Sequence, residues 1–426
     1  MPRLVDINLG KQVKNKVVVT NIGKLVSGDF SKGILSADTI LIRDGKIAKI
    51  GMRKDIDTAG ADHVVDVNGM TVTPGLIDPH THIEPPPVSE NMKWMEDSFN
   101  GGVTTIISQG ESGWKGRPMD GIGTKALSIL KRRADAKWRP GGGLKVHGGS
   151  LILEKGLTEE DFKEMAEAGV WCIAEIGGAG IDRYEEVAPM LQWARKYGFK
   201  VPVHIGGQAI PVGSIMTADE VLRFKPDMVV HLNGGPTAPS WSDVKKIIDE
   251  SDAYVEALWN GNERMMHQMV DYLKERKQLD RLIIGTDNPV GLGSFSPVAM
   301  IRTIVKLSSL NKIPGETAIA FGTGNVARAY DLNTGIVEVG READLLAMHC
   351  PVGSVAKDAL EAIEVGDIPG MPMIMVDGEV ATLRATHTSN FNRYVKVDGV
   401  ERPIVTFEDW KYGPPGNPRL PWEQPQ

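Results

Sequence analysis

The sequence contains little cysteine, few aromatic residues and no long apolar run. Cys172 and Cys350 are the only cysteines among 426 residues, and two cysteines cannot build the disulfide framework of a small secreted domain. No window is long and apolar enough for a transmembrane helix, and the first residues lack the apolar segment of a secretory signal. We therefore predict a cytoplasmic protein.

The chain has no excess of positive charge. The chain has 48 lysines and arginines against 55 aspartates and glutamates, which gives a net charge of -7 and a pI of about 5.8. Partners such as nucleic acids and anionic membranes require a basic face, so we expect neither. The 41% hydrophobic content over this length is enough for a large buried core.

The pattern of the chain changes twice along its length. Residues 1–73 contain short β-branched runs that Asp-Gly and Asn-Gly turns interrupt. Residues 74–334 alternate apolar strand candidates with amphipathic helical patterns, which is typical of an α/β fold with a parallel sheet covered by helices. Eight such units in about 250 residues predict a (β/α)₈ TIM barrel, with a doubly wound open sheet as the alternative.

The β pattern returns over residues 335–387. We expect this segment and the N-terminal one to pair into a single composite β-sandwich beside the barrel. Residues 388–426 are polar and then Pro-rich, and they are interpreted as a C-terminal tail. This tail either packs on a neighbouring subunit or is a loosely ordered end.

Polar side chains fall at the ends of the predicted barrel strands, where the active sites of such barrels lie. His80 and His82 are two positions apart on one strand, so they point to the same face and can share one metal ion. The later strands end with His147, Glu175, His204, His231, Glu256 and Asp287.

Any single histidine of this set could simply be a polar residue at the end of a strand. A carboxylate that leaves an apolar strand needs a partner, however, and a metal ion is one. Six residues on five predicted strands together favour a metal centre, namely His80, His82, Glu175, His204, His231 and Asp287.

These motifs resemble those of the amidohydrolase superfamily. The stretch PGLIDPHTH, the histidines on predicted strands 5 and 6, IIGTDNP and the later GREADLLAM carry the resemblance. Longer stretches such as GVWCIAEIG and VVHLNGGPTA are similar to the enamidase subgroup. The resemblance implies a hydrolase that acts on the C–N bond of a cyclic amide.

The resemblance also implies a binuclear centre. His80, His82 and Asp287 would hold one divalent ion, and His204 and His231 would hold the other. Many members of the superfamily bridge the ions with a carboxylated lysine, but the segment VWCIAEIG has none, so Glu175 is the candidate bridge. Zn²⁺ is the expected metal, with Fe²⁺ and Mn²⁺ as alternatives. Asp287 would carry the proton from the attacking hydroxide to the leaving nitrogen.

Candidate substrate contacts come from the segments after the strands. Arg117 and Trp114 follow strand 2, Asn233 follows strand 6, and Trp259 follows strand 7. An arginine could bind a substrate carboxylate with two hydrogen bonds, and an indole suits a flat ring. His147 is either a substrate contact or a histidine that faces the core. Glu256 is interpreted as a residue that orients a ligand.

Other activities of the same superfamily remain open from the sequence. They are hydantoin or imide ring opening, lactone hydrolysis and deamination at a mononuclear site, and a non-catalytic assembly protein is the least favoured. The resemblance favours a homotetramer, and the expected partner is a small cyclic amide substrate.

Overall fold

The computed structural model describes residues 15–83, 89–110, 116–207, 215–235, 237–289 and 295–401. The described strands are β1 (Lys16–Thr20), β2 (Lys24–Val26), β3 (Ile34–Leu35), β4 (Thr39–Arg43), β5 (Lys46–Gly51), β6 (His63–Asp66), β7 (Thr71–Pro74), β8 (Leu76–Thr81), β9 (Val103–Ser108), β10 (Lys145–His147), β11 (Pro202–Val203), β12 (Met228–Val229), β13 (Tyr254–Leu258), β14 (Leu282–Gly285), β15 (Leu345–His349), β16 (Gly370–Val376), β17 (Glu379–Thr382), β18 (Lys396–Val397) and β19 (Val400–Glu401). The described helices are α1 (Ser89–Phe99), α2 (Gly121–Asp135), α3 (Glu159–Glu167), α4 (Tyr184–Lys196), α5 (Ala218–Arg223), α6 (Trp241–Glu250), α7 (Glu263–Glu275), α8 (Ala299–Asn311), α9 (Gly315–Phe321), α10 (Gly324–Ala329) and α11 (Ala359–Val365).

Strands from the two ends of the chain form two six-stranded sheets that share one core. Their strand orders are β19-β18-β6-β1-β4-β5 and β17-β16-β15-β7-β2-β3. The two ends meet directly where β7 pairs antiparallel with β15, with Pro74 opposite Leu345. Val19 of the first sheet and Met373 of the second belong to one buried apolar cluster. The predicted pairing of the two flanks is therefore confirmed, whereas the exact domain boundaries stay predictions.

The beginning of the predicted tail belongs to this sandwich. Lys396 pairs with Asp66, so β18 extends the first sheet beyond β6, and β19 pairs in turn with β18. Val395 is buried just before this strand, which supplies an apolar anchor that the polar composition of the segment concealed. Residues 402–426 lie outside the described residues, so the predicted packing of the rest of the tail has no structural test.

The middle of the chain alternates parallel strands with helices, as the sequence pattern predicts. β8, β9 and β10 form one parallel sheet, and β11 to β14 form another. Isolated parallel bridges connect Leu151 with Ile173, Cys172 with Lys200, and Thr81 with Asn288. None of the described helices combines the length and the apolar character that a membrane span requires.

The strands in the second half of this region are shorter than predicted. Segment 171–176 makes only isolated bridges, and β11 and β12 have two residues each. Glycines with positive φ follow each of these segments, namely Gly177, Gly206 and Gly234. Such glycines turn the chain away from the extended direction, so the polar side chains just before them lie at the edge of the sheet.

A buried cluster of charges joins the parallel-stranded region to the sandwich. The ammonium of Lys145, on β10, lies 2.8 Å from Asp344 Oδ2 and 2.7 Å from Asp377 Oδ1, and it also contacts Glu342. Burial alone would lower the pKa of Lys145, but the three carboxylates raise it. The lysine therefore stays charged and links β10 of the parallel-stranded region to the ends of β15 and β16 in the sandwich.

Candidate metal centre

His80 and His82, at the end of β8 and just beyond it, present the same face to the interior. His80 Nδ1 donates to Glu256 Oε2 at 2.8 Å, and His82 Nδ1 donates to the carbonyl oxygen of Gly110 at 2.9 Å. A ring whose Nδ1 carries the donated proton keeps the lone pair of Nε2 for a metal ion. Both Nε2 atoms lie within 3.8 Å of Glu175 Oε1.

Glu175 lies between two groups of histidines. Its Oε1 atom faces His80 and His82, while its Oε2 atom is 3.5 Å from His204 Nδ1 and 3.0 Å from His231 Nε2. The residues form two metal-compatible triplets, and Glu175 is a member of both. One carboxylate with an oxygen toward each group is the geometry that a bridging ligand needs.

The nitrogen atoms that face this centre support a metal. Among the described residues, His80 Nε2, both ring nitrogens of His204 and His231 Nδ1 are buried without a hydrogen-bond partner. Buried polar atoms in this state cost about 1 to 3 kcal/mol each, and coordination removes the cost for those that bind the ion. Imidazole nitrogens with carboxylate oxygens fit Zn²⁺, Fe²⁺ or Mn²⁺. The residues present therefore fit the divalent ions that the sequence predicts.

The carboxylates and imidazoles of the centre shift one another's pKa values. Burial alone would raise the pKa of Glu175, but the neighbouring side chains of His204 and His231 hold it well below the ordinary value. Burial likewise opposes ionisation of Asp287, yet the neighbouring side chain of His82 lowers its pKa. Burial, followed by the neighbouring His231, lowers the pKa of His204. At neutral pH the centre therefore offers ionised carboxylates and a neutral imidazole at His204. Burial alone would lower the pKa values of His80 and His82, but Glu256 raises that of His80 and Asp287 raises that of His82, so a metal ion displaces protons from these two rings when it binds.

Asp287 approaches the first pair of histidines from the segment just after β14. Its Oδ1 atom is 3.0 Å from His82 Nε2 and 3.7 Å from His80 Nε2. Its amide donates to the carbonyl of His80 at 2.8 Å, and its φ is 58°. A left-handed backbone at a non-glycine residue is uncommon and clusters at functional sites. The structure thus brings Asp287 to the group that the sequence assigned it to, and its role as ligand and proton carrier stays a prediction.

Glu256 connects the two groups of histidines from a fully buried position on β13. Its Oε2 atom accepts from His80 Nδ1 and also from the backbone amide of His231, at 2.9 Å. One side chain therefore fixes the ring of one predicted ligand and the main chain of another. This placement supports the predicted orienting role.

Asp78 and Thr286 support the centre but were not predicted from the sequence. Asp78 accepts from the hydroxyl and the amide of Thr286, and also from the amide of His80. It thereby ties the end of β8 to the segment that carries Asp287. The available signal was its position two residues before His80, on the same face of the strand.

Three residues predicted as substrate contacts have protein partners in the structure. Arg117 donates to Glu154 Oε1 at 2.6 Å, and Asn233 exchanges hydrogen bonds with both backbone groups of Leu258. His147 packs edge-on against Trp171, with ring centroids 5.6 Å apart, which favours the alternative of a core-facing histidine. Their substrate-binding roles stay predictions.

The two predicted indole contacts also differ. The ammonium of Lys306 lies 4.8 Å from the centroid of the Trp259 ring, so one face of this indole is occupied by a cation. Trp114 lies outside the described residues.

Comparison with known proteins gives a consistent set of relatives, although no protein-family model matches the chain. Enamidase of Eubacterium barkeri is 44% identical over 386 residues, which cover 90% of this chain and all of the relative. The crystal structure of enamidase, described as a member of the amidohydrolase superfamily, superposes with a TM-score of 0.86 at 44% identity, over 90% of this chain and all of that chain.

More distant relatives match less of the chain or share only its fold. A dihydroorotase of Bacillus cytotoxicus is 28% identical over 177 residues, which are 41% of this chain and 39% of the relative. The β-aspartyl dipeptidase of Fervidobacterium islandicum superposes with a TM-score of 0.60 at 17% identity, over 89% of this chain and 99% of its own.

Proposed function

Because the chain belongs to the enamidase family of the amidohydrolase superfamily, we propose that it opens the C–N bond of a cyclic amide by metal-dependent hydrolysis. The observation that carries the proposal is the pair of histidine groups that share Glu175. We infer that the accompanying fold is a closed (β/α)₈ barrel. The isolated parallel bridge between Thr81, at the end of β8, and Asn288, three residues after β14, supports this inference. A cytoplasmic homo-oligomer, a tetramer by family, completes the proposal.

Each predicted ligand has an assigned place. His80, His82 and Asp287 would hold one ion, His204 and His231 the other, and Glu175 would bridge them. Zn²⁺ is the first choice, with Fe²⁺ and Mn²⁺ as alternatives. When bound, such ions polarise the amide carbonyl and make water a nucleophile at neutral pH.

Asp287 moves the proton in this mechanism. Its lowered pKa keeps the carboxylate ionised at neutral pH, so it can accept a proton from the attacking water. It then donates this proton to the ring nitrogen as the C–N bond breaks. The hydrogen bond between Asp78 and Thr286 ties this segment to β8 and positions the carboxylate beside His82.

The Asp287→Asn variant tests this role. An amide cannot accept the proton, so we expect turnover of a cyclic enamide to fall by about 10²- to 10⁴-fold. The metal content, measured by elemental analysis, should stay near two ions per chain because five of the six predicted ligands remain. Normal turnover by the variant would contradict the assignment, and a wild-type content of one ion would contradict the binuclear centre.

A second candidate is the opening of a cyclic ureide or imide ring. The partial match to dihydroorotases favours it over lactone hydrolysis or deamination. A substrate panel of cyclic enamides, dihydropyrimidines, imides, lactones and aminated heterocycles separates the candidates. We expect the highest kcat/KM for a cyclic enamide, and a preference for a dihydropyrimidine would replace the first proposal with the second.

A further inference from the structure

Helix α2 carries a stripe of apolar residues on its outer face. Ile122 and Leu130 are 84% and 60% exposed, Ala126 between them is also exposed, and Met119 just before the helix is 72% exposed. A spacing of four residues places the three helical positions in one stripe, about 12 Å long.

The inward face of the same helix is mostly polar, although Ile129 packs in part against the main apolar core. Its buried residues are Gly121, Thr124, Ser128, Lys131, Arg132 and Asp135. Thr124 donates to the carbonyl of Ile152, Lys131 pairs with Asp135 at 2.8 Å, and Arg132 donates to the carbonyl of Gly169. A helix on the surface of a globular monomer normally turns its apolar stripe toward the core. The additional apolar stripe on the outside of α2 indicates that this stripe is covered in the assembled protein.

We propose that a second copy of this chain covers the stripe, with its own α2 packed antiparallel across a two-fold axis at Ala126. The stripe is self-complementary about this point, because Ile122 and Leu130 lie four residues to either side of a small residue. A two-fold contact places Ile122 opposite Leu130 of the second copy, and the methyl groups of the two Ala126 residues let the helices approach closely.

The charges at the ends of α2 favour the antiparallel arrangement. Asp120 caps the N-terminus and is exposed, while Arg133 is exposed in the last turn and has no ion pair among the described residues. An antiparallel pair brings Asp120 near Arg133 of the second copy at both ends of the contact. It also sets the opposite ends of the helix dipoles beside each other. The acidic and basic side chains of α3, such as Glu160 and Lys163, supply a polar rim.

Cysteine cross-linking tests the position of the axis. In a Cys350→Ser background, Ala126→Cys should form a covalent dimer on mild oxidation, because only a residue on the axis meets its own copy within the about 4.4 to 6.8 Å that a disulfide allows. Ile122→Cys alone should stay monomeric on a non-reducing gel, whereas Ile122→Cys combined with Leu130→Cys should cross-link. Failure of Ala126→Cys to cross-link, or equal cross-linking by Ile122→Cys alone, overturns the proposal.

Sedimentation measurements test the contact in the native protein. Ile122→Asp should raise the dissociation constant of the assembly by about 100-fold or more, because a carboxylate is then buried in an apolar contact. The matched control is Leu310→Asp, a change at a residue 65% exposed on α8, which should leave the mass unchanged. An unchanged mass for Ile122→Asp, or a monomeric wild type, overturns the proposal. Neither readout depends on hydrolysis, so the outcome is separate from that of the proposed activity.

Discussion

Glu256 shows how much the predicted metal ligands depend on a residue outside the predicted ligand set. Its side chain is completely buried, and one of its oxygens accepts hydrogen bonds from His80 and from the amide of His231. The negative charge of Glu256 makes Nε2 of His80 a stronger metal ligand. The hydrogen bond from the backbone amide of His231 to Glu256 fixes the position of His231. Both predicted ion sites therefore depend on this one carboxylate.

The Glu256→Gln variant tests this dependence at the residue scale. The amide oxygen can still accept hydrogen bonds, so the fold should be retained, but the charge behind His80 is lost. We expect metal affinity to fall by about 10- to 100-fold, measured on metal-free protein by competition with a chelator. Glu154→Gln serves as a control, because that buried carboxylate pairs with Arg117 instead. Equal affinity of Glu256→Gln and wild type would show that Glu256 does not support the ligands.

At the scale of elements, the turn after Glu175 requires a glycine at position 178. A Cβ atom at Gly178 would lie 2.6 Å from the carboxylate of Glu175, which is closer than any side chain tolerates. The carboxylate is also held by His204 and His231, so it cannot move without leaving one of them. The turn must therefore contain a residue without a side chain for Glu175 to face both groups.

Gly178→Ala should accordingly disturb the centre. The added methyl group displaces Glu175, and we expect the bound metal to fall below one ion per chain, with a loss of turnover to match. Gly235→Ala is the matched control, since a Cβ there meets nothing within 4 Å. Elemental analysis after gel filtration measures the effect, and two retained ions in Gly178→Ala would refute the steric argument.

Sequence patterns predict well which residues share one face of a strand or helix. They predict poorly which distant residues that face contacts in the fold. The two-residue periodicity of a β-strand places His80 and His82 on one face. Positions at the ends of predicted strands identify Glu175, His204 and His231. The partnership of Glu256 with His80 joins residues 176 positions apart, which no local pattern reveals. The same limit applies to α2, because periodicity defines two faces but does not tell which one meets the core.

At the scale of the whole molecule, ion pairs attach the sandwich to the barrel region. Besides the Lys145 cluster, Asp29 in the segment between β2 and β3 binds Arg328 of α10 at 2.6 Å. The composite sandwich was predictable because both flanks show β patterns. These ion pairs were not, since each depends on the relative placement of two units.

Asp29 predicts a defined pH dependence of stability. Burial alone would raise its pKa, but hydrogen bonds from Arg328 and Ser31 lower it to about 2. A carboxylate with a folded pKa below its unfolded value of about 3.9 stabilises the protein fully above that value, and the contribution is lost as the pH falls toward 2.

We therefore expect Asp29→Asn to lower the free energy of unfolding by about 1 to 2 kcal/mol at pH 6. The difference from wild type should narrow between about pH 4 and pH 3, measured by urea unfolding. Asp219→Asn, at an exposed ion pair on α5, should cost far less. A gap between Asp29→Asn and wild type that persists unchanged at pH 3 would rule out the ion pair as its source.

The pairing of β7 with β15 has a consequence for synthesis. The two strands are separated by about 270 residues. A ribosome that adds about 5 to 20 residues per second needs roughly 14 to 54 s to cover that distance. During this time the N-terminal half of the sandwich has left the exit tunnel, while one edge of β7 has no strand beside it. Nascent chains stalled before β15 should therefore present an unpaired edge of β7 to chaperones. Completion of the sandwich is then a late step in the synthesis and folding of the enzyme.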